Sequence, residues 1–329
     1  MSNFNQGQAP AGVLARALTG NIFVEKSLAF MNEGDKDGYN AYKHDISNVL
    51  RARSVNPLAG VSNTSVKQNY KRSLAVVESM ETFDPAEYHG YWKEYQPTGE
   101  FNWEGLPAPI QAALEELFLG SSAEATEDFL TNNTTSLLVG LIPQLKSVLY
   151  TSLNGGVVTP TQVVNNTAIA FRAHGGGTGA NLGVAITVDN VFEKLEILIK
   201  GQTKAMRKRA SRKFMISHGT ADLIKEAQRL KLNFKGVDVT EEGVLRYAGY
   251  DLVENPSFPD DTILFCSMSG DMKTDAIQMG TSLSSDFNNL IVDRVSAFGR
   301  EWGMLLTFAL DIFVVRPEEV CFYTTSTIV

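Results

Sequence analysis

Between Ser65 and Glu81 the chain has the composition of one long strand, with almost nothing nearby to bury it. After the turn at Phe83-Asp-Pro85 an aromatic run, Tyr88 to Tyr95, can return beside it, so residues 61–106 are expected to form an extended hairpin loop. A lone two-stranded ribbon is marginal in water because it buries too little apolar surface. It either folds as an edge hairpin onto its own domain or projects until another surface completes it, and these residues leave both open. The first 20 residues pose the same problem: rich in Gly, Asn, Gln and Ala, they form an arm that orders only against a partner surface. Residues 1–60 therefore read as an arm with short helices. One helix is expected over 39–53, where Tyr39, Tyr42, Ile46, Val49 and Leu50 share a stripe that Pro57 and Gly60 end.

The middle of the chain changes period. From Pro107, the residues Ile110, Leu114, Leu117 and Phe118 mark one helical face. A second, longer helical stretch is expected over 121–153, with Pro143 as a kink or restart and Asn154-Gly-Gly156 as its stop. Short strands follow around the loop His174 to Asn181. Asn190 with Glu193 has capping-box spacing before Val191, Leu195, Leu198 and Ile199, which predicts a helix. A basic run from Lys200 to Lys213 leads into the strand Lys213–Ser217, then a helix capped by Thr220. Strands and turns dominate after Gly249. Helix and strand are mixed without a βαβ alternation, so the fold class is α+β rather than a doubly wound sheet.

Bulk properties exclude several functions. With 29 Lys+Arg against 37 Asp+Glu, the formal net charge of -8 opposes a chain whose main work is gripping nucleic acid. The two cysteines, Cys266 and Cys321, lie in apolar strand-like runs and read as reduced core thiols. The longest apolar run, Met304 to Val315, contains Asp311 and falls below the roughly 18 residues that span a bilayer, so a cytoplasmic site of synthesis is expected.

The chemical motifs are weak. Gly175-Gly-Gly-Thr-Gly179 looks like the glycine-rich phosphate loop of tubulin-type GTPases, yet the segment after it reads as a strand where that loop should open a helix. A surface loop is favoured, with a nucleotide site as the alternative. Glu33 to Gly38 spaces carboxylates as a calcium loop does, but His44 stands where a bidentate Glu belongs. His44, His89, His174 and His218 are scattered, and no zinc or nucleophile motif accompanies them. No catalytic residue, cofactor or metal is therefore expected, and the chain is read as not an enzyme. Two clusters remain as candidate contacts between subunits. Tyr88, Trp92, Tyr95, Phe101 and Trp103 crowd a loop-rich stretch and either fill the domain's own core or anchor an interface, with the interface favoured. Arg207, Lys208, Arg209 and Arg212 lie in the basic run and either solvate a helix end or meet a phosphate or an acidic neighbouring face.

The order of elements, with Tyr247-Ala-Gly-Tyr250, Phe258-Pro-Asp-Asp261, Gly280-Thr281 and the apolar Leu305 to Val315, resembles the HK97-type major capsid proteins of tailed bacteriophages. The resemblance is most specific over 187–321. It implies an N-terminal arm, an extended loop over 61–106, a spine helix and peripheral domain over 107–186, an axial domain over 187–289, and strands over 290–329 that return to the peripheral domain. It further implies self-assembly into pentamers and hexamers of an icosahedral shell around double-stranded DNA, with scaffolding, portal and decoration proteins as partners and the virion as the location. Encapsulin compartments share that fold and stand as another alternative.

Overall fold

The computed structural model describes residues 21–34, 38–46, 65–87, 90, 93–96, 101–135, 137–146, 185–202, 204–230, 237–239, 245–282, 290–295, 300–316 and 319–324. The expected arm over 1–20 and the glycine loop Gly175–Gly179 lie outside these residues, as do Asp35 and Asp37 of the calcium-like string. The described elements are, in chain order, α1 (Ile22–Glu25), β1 (Phe30–Gly34), β2 (Tyr39–Ile46), β3 (Ser65–Arg72), β4 (Ala75–Phe83), α2 (Ala108–Asn132), α3 (Leu141–Lys146), α4 (Val191–Lys200), α5 (Lys204–Arg207), β5 (Arg212–Ser217), α6 (His218–Leu230), β6 (Val237–Val239), β7 (Leu245–Tyr247), β8 (Tyr250–Asn255), β9 (Ile263–Ser267), β10 (Ile277–Ser282), β11 (Leu290–Arg294), β12 (Trp302–Val314) and β13 (Val320–Tyr323). Helices and strands are mixed, as the α+β reading expects.

A six-stranded sheet in the order β13-β9-β5-β8-β7-β6 is central to the packing. Phe214, Ile216, Ile263, Phe265, Cys321 and Tyr323 point from one face into a core shared with α4 and α6. Met215, Leu264, Cys266, Val320 and Phe322 alternate onto the other face and enter a second core. Burial on both faces explains why β9, β13 and the Phe214–Ile216 centre of β5 read as apolar runs rather than alternating ones. Both cysteines are buried and free, and burial pushes the Cys321 thiol up to about 12. The Tyr247-Ala-Gly-Tyr250 motif is the tight turn between β7 and β8. Ala248 and Gly249 both take positive φ, 50° and 83°, the pair of values a two-residue hairpin turn needs.

The second core lies under a five-stranded sheet organised by β12. One edge of β12 pairs with β4 from Trp302↔Phe83 to Leu310↔Ala75. The other edge is divided between β11 and β10, and β1 adds to β10 in parallel. Helix α2 covers this sheet as one continuous element where the sequence suggests two. Its buried face, Phe118, Leu119, Ser122, Ala123, Thr126, Glu127, Leu130 and Thr131, is half polar, which hides its continuity from apolar spacing. Asn133 ends it, and α3 restarts the chain with Pro143 in its first turn, where a missing N–H costs nothing. Gln144 of α3 donates to the Ile312 carbonyl at 2.6 Å and so fixes α3 beneath β12.

Four local expectations are corrected. The helix expected over 39–53 is a strand, Tyr39–Ile46: Tyr39 and Ala41 are buried by Phe313 and Val315, far along the chain, and that distant contact selects period 2 over period 3.6. The strand expected over 65–81 divides at Ser73-Leu74, so that β3 pairs with β2 and β4 with β12; of the described residues in the 88–95 run, 93–95 form a turn and pair with neither. The helix at 191 forms, but Asn190 does not close a capping box. Its side chain instead accepts from the Thr187 N–H and donates to the Ala185 carbonyl. Likewise Ser217, not Thr220, places its hydroxyl at the start of α6, accepting from the Thr220 N–H at 3.2 Å.

Candidate assembly surfaces

Strands β2 and β3 form a ribbon of their own, paired over eight positions from Tyr39↔Arg72 to Ile46↔Ser65. At about 3.4 Å per residue this is roughly 27 Å of two-stranded structure, with residues 47–64 joining its far end. Its base is fastened to the outer face of the five-stranded sheet. Arg72 donates from Nε and Nη2 to the two carboxylate oxygens of Asp311, at 2.9 and 3.1 Å, and Tyr39 Oη donates to Asp311 Oδ2 at 2.9 Å. The guanidinium also lies 4.7 Å from the centre of the Phe313 ring, and Tyr70 packs on the same ring at 5.4 Å.

Asp311 is only 1% exposed; burial pushes its carboxyl up, and the bonds from Arg72 and Tyr39 oppose that shift. A buried carboxylate needs such partners, because an unpaired charge in the interior costs several kcal/mol. Gly280 sits opposite Asp311 on β10, and a methyl group there would overlap the Tyr39 ring. The bare glycine is what lets the ribbon's first residue lie flat on the sheet. These four residues escaped the sequence reading as a site. The one available signal was an acid inside the apolar run of β12, with a glycine in a strand pattern as its companion.

Beyond the ribbon's base the outer face of the sheet is open. The pairing places Met80, Leu305 and Ile291 side by side across β4, β12 and β11, with Val76 and Val295 flanking them. Val76 and Met80 are each 59% exposed, Ile291 44% and Val295 46%. Glu78 and Asp293 lie on the same face by strand alternation. A contiguous apolar patch on a sheet, rimmed by acids, is the kind of surface that marks an interaction site.

The sequence candidates divide by position. Tyr88 and Trp92 lie outside the described residues, and Tyr95 is exposed. Phe101 is buried, meeting Phe83 and Trp302 edge-on at 6.0 and 5.2 Å, and Trp103 packs beside it; of the two roles open to these aromatics, this pair fills the chain's own core. In the basic run Arg209 makes a two-pronged bond to buried Glu319 at 2.8 and 2.9 Å, and Arg212 bonds Gln202 and lies over the Tyr250 ring. Arg207 and Lys208 face solvent.

Among the described residues no cluster of His, Cys, Asp and Glu could hold a metal, and no helix is long and apolar enough to cross a membrane. A groove of about 460 Å³ between β4 and α2 is lined by apolar and hydroxyl side chains with Glu78, and the Ser79 and Ser122 hydroxyls bond each other across it at 2.7 Å.

Compared by sequence, the chain matches no protein-family model and no curated protein. Compared by structure, it aligns over nearly its full length with shell proteins. A chain of the satellite phage P4 procapsid superposes with a TM-score of 0.53 at 10% identity, covering 95% of this chain and 98% of that one. A chain of the empty GTA particle capsid gives 0.51 at 13% identity over 94% and 90%, and the cyanophage A-1(L) capsid gives 0.50 at 11% identity over 93% of each chain. The fold is that of a phage capsid subunit. The mixed α+β fold expected from the sequence is the one adopted, shared with these capsid chains, and residues 39–46 and 65–72 form a two-stranded ribbon within it.

Proposed function

We propose that this chain is the major capsid protein of a tailed bacteriophage, whose copies associate into pentamers and hexamers and these into an icosahedral shell around double-stranded DNA. The observation that carries this reading is the pairing of a ribbon too thin to be stable by itself with an open apolar sheet face on the same subunit. Each is an unfinished surface of the kind a second copy completes. In the proposed shell the ribbon of one subunit crosses the Val76–Met80–Leu305–Ile291 face of its neighbour. Exposed Tyr42 and Lys71 of the ribbon suit that apolar face and its acidic rim. The capsid fold supports the same conclusion over the whole chain.

In this assignment the long helix α2 is the spine, residues 187–289 gather around the symmetry axes, and the sheet built on β12 lies at the periphery. Scaffolding, portal and decoration proteins are the further partners, and the virion is the location. The net charge of -8 suits a wall that holds DNA without gripping it. Negative-stain microscopy with size-exclusion chromatography of the purified chain, with and without co-expressed neighbouring gene products, tests the proposal. Closed particles of uniform size are expected, whereas a compact monomer under every assembly condition would overturn it.

A further inference from the structure

The stretch around α4 carries a charge separation that the subunit itself uses only in part, through the Lys200–Glu196 pair. Glu193 and Glu196 lie on the exposed face of the helix, while Lys204, Arg207 and Lys208 are exposed beyond its C-terminal end. The cations of this run with internal work are Lys200, paired with Glu196 at 2.9 Å, Arg209 on Glu319, Arg212 on Gln202, and Lys213, which donates to the Lys26 carbonyl. Glu193, Lys204 and Lys208 have no ion-pair partner among the described residues. Arg207 is held at the end of α4 by donating to the Lys200 carbonyl at 3.4 Å, so the basic cluster is fixed at the opposite end of the helix from Glu193.

Glu193 and Lys200 are separated by about 10 Å of helix rise, and the exposed cations lie beyond that. This is about one Debye length at physiological salt, so the two clusters are largely screened from one another within a single copy. Both face outward.

We propose that α4 and the basic segment after it form a complementary contact between copies of this chain, the Glu193–Glu196 face of one subunit meeting Lys204, Arg207 and Lys208 of another. The inference rests on the shell reading and adds to it an electrostatic register between subunits. Two sites of opposite sign at separate places on one subunit are what a head-to-tail contact requires, and such contacts close into rings when the rotation permits. Nucleic acid fits the basic cluster less well, because the chain as a whole carries a net charge of -8. Complementary charge of this kind sets register and encounter rate more than total affinity.

The experiment is charge reversal in the full chain, read by particle yield in size exclusion and microscopy. Glu193→Lys with Glu196→Lys, and separately Lys204→Glu with Arg207→Glu and Lys208→Glu, are each expected to lower particle yield on the order of tenfold while circular dichroism and the subunit's thermal unfolding stay near wild type. Combining all five substitutions is expected to restore assembly, which neither a folding defect nor a loss of DNA contacts would do. The milder pair Glu193→Gln with Glu196→Gln should give an intermediate yield and a weaker salt dependence. Full assembly by both reversed variants would overturn this contact and leave the shell reading standing. Loss of packaged DNA without loss of particles in the basic reversal would overturn it in favour of a phosphate surface. A wild-type chain that never assembles would overturn both readings.

Discussion

The six-stranded sheet and the β2–β3 ribbon are both built of paired strands and end in opposite conditions, apolar β9 and β13 in the one and largely polar β2 and β3 in the other. The sheet is covered on both faces by α4 and α6 on one side and the second core on the other, so β9 and β13 are buried throughout. The ribbon pairs with no third strand among the described residues and is fastened by one cluster at its base. The first region is complete within one copy. The second is complete only where Tyr39, Arg72 and Asp311 meet, and that difference separates residues that fold the subunit from residues left over for joining subunits.

The contrast breaks most severely at the centre of the sheet. Phe265 stacks on Phe214 at 4.1 Å between centroids, and Phe265→Ala is expected to cost about 4 kcal/mol in chemical denaturation, lowering the stability of the whole subunit. Asp311→Ala comes next, at about 3 kcal/mol, because it leaves the Arg72 charge unpaired. Arg72 is 20% exposed and can recover some hydration, which keeps the cost at the low end. Limited proteolysis should then cut the ribbon well before the six-stranded sheet. Simultaneous loss of both regions would show that the two are not separate in stability.

Gly280→Ala forces a methyl into the Tyr39 ring and is expected to cost about 2 kcal/mol with the same proteolytic signature. Tyr39→Phe keeps the ring and removes one hydrogen bond to a carboxylate, a loss of about 1.5 kcal/mol by thermal unfolding. The smallest effect on the isolated subunit, within about 0.5 kcal/mol, is expected for Met80→Gln with Val76→Thr on the open sheet face. The same pair should reduce particle yield sharply. A pair that lowers subunit stability and leaves assembly intact would place this face in folding rather than in joining.

Much of the fold was legible because its signals are local or redundant. Val191, Leu195 and Leu198 mark α4 at helical spacing whatever lies opposite, and Tyr247-Ala-Gly-Tyr250 specifies its own turn. The apolar runs of β9 and β12, the second interrupted by Asp311, announce burial without naming a partner. The ribbon was misplaced because its strand character depends on partners elsewhere: Tyr39, Tyr42 and Ile46 fit a helical stripe equally well until Phe313 and Val315 cover Tyr39 and Ala41. The aromatic cluster was legible as a cluster, but Phe101 turned inward to Trp302, a neighbour some 200 positions away in the chain that no spacing rule can supply.

The amino-acid order by itself determined an acidic, mixed helix-and-strand chain with an unsupported extended stretch, because composition, periodicity and turn chemistry act over a few residues. Tertiary structure alone decided which strand pairs with β3, that α2 runs unbroken, and that Asp311 and Gly280 receive Arg72 and Tyr39. The fastening at Asp311 depends on contacts between residues more than 200 positions apart and the β2–β3 pairing on a segment about 20 to 30 positions away, where burial and charge pairing outweigh the small local preference for helix or strand.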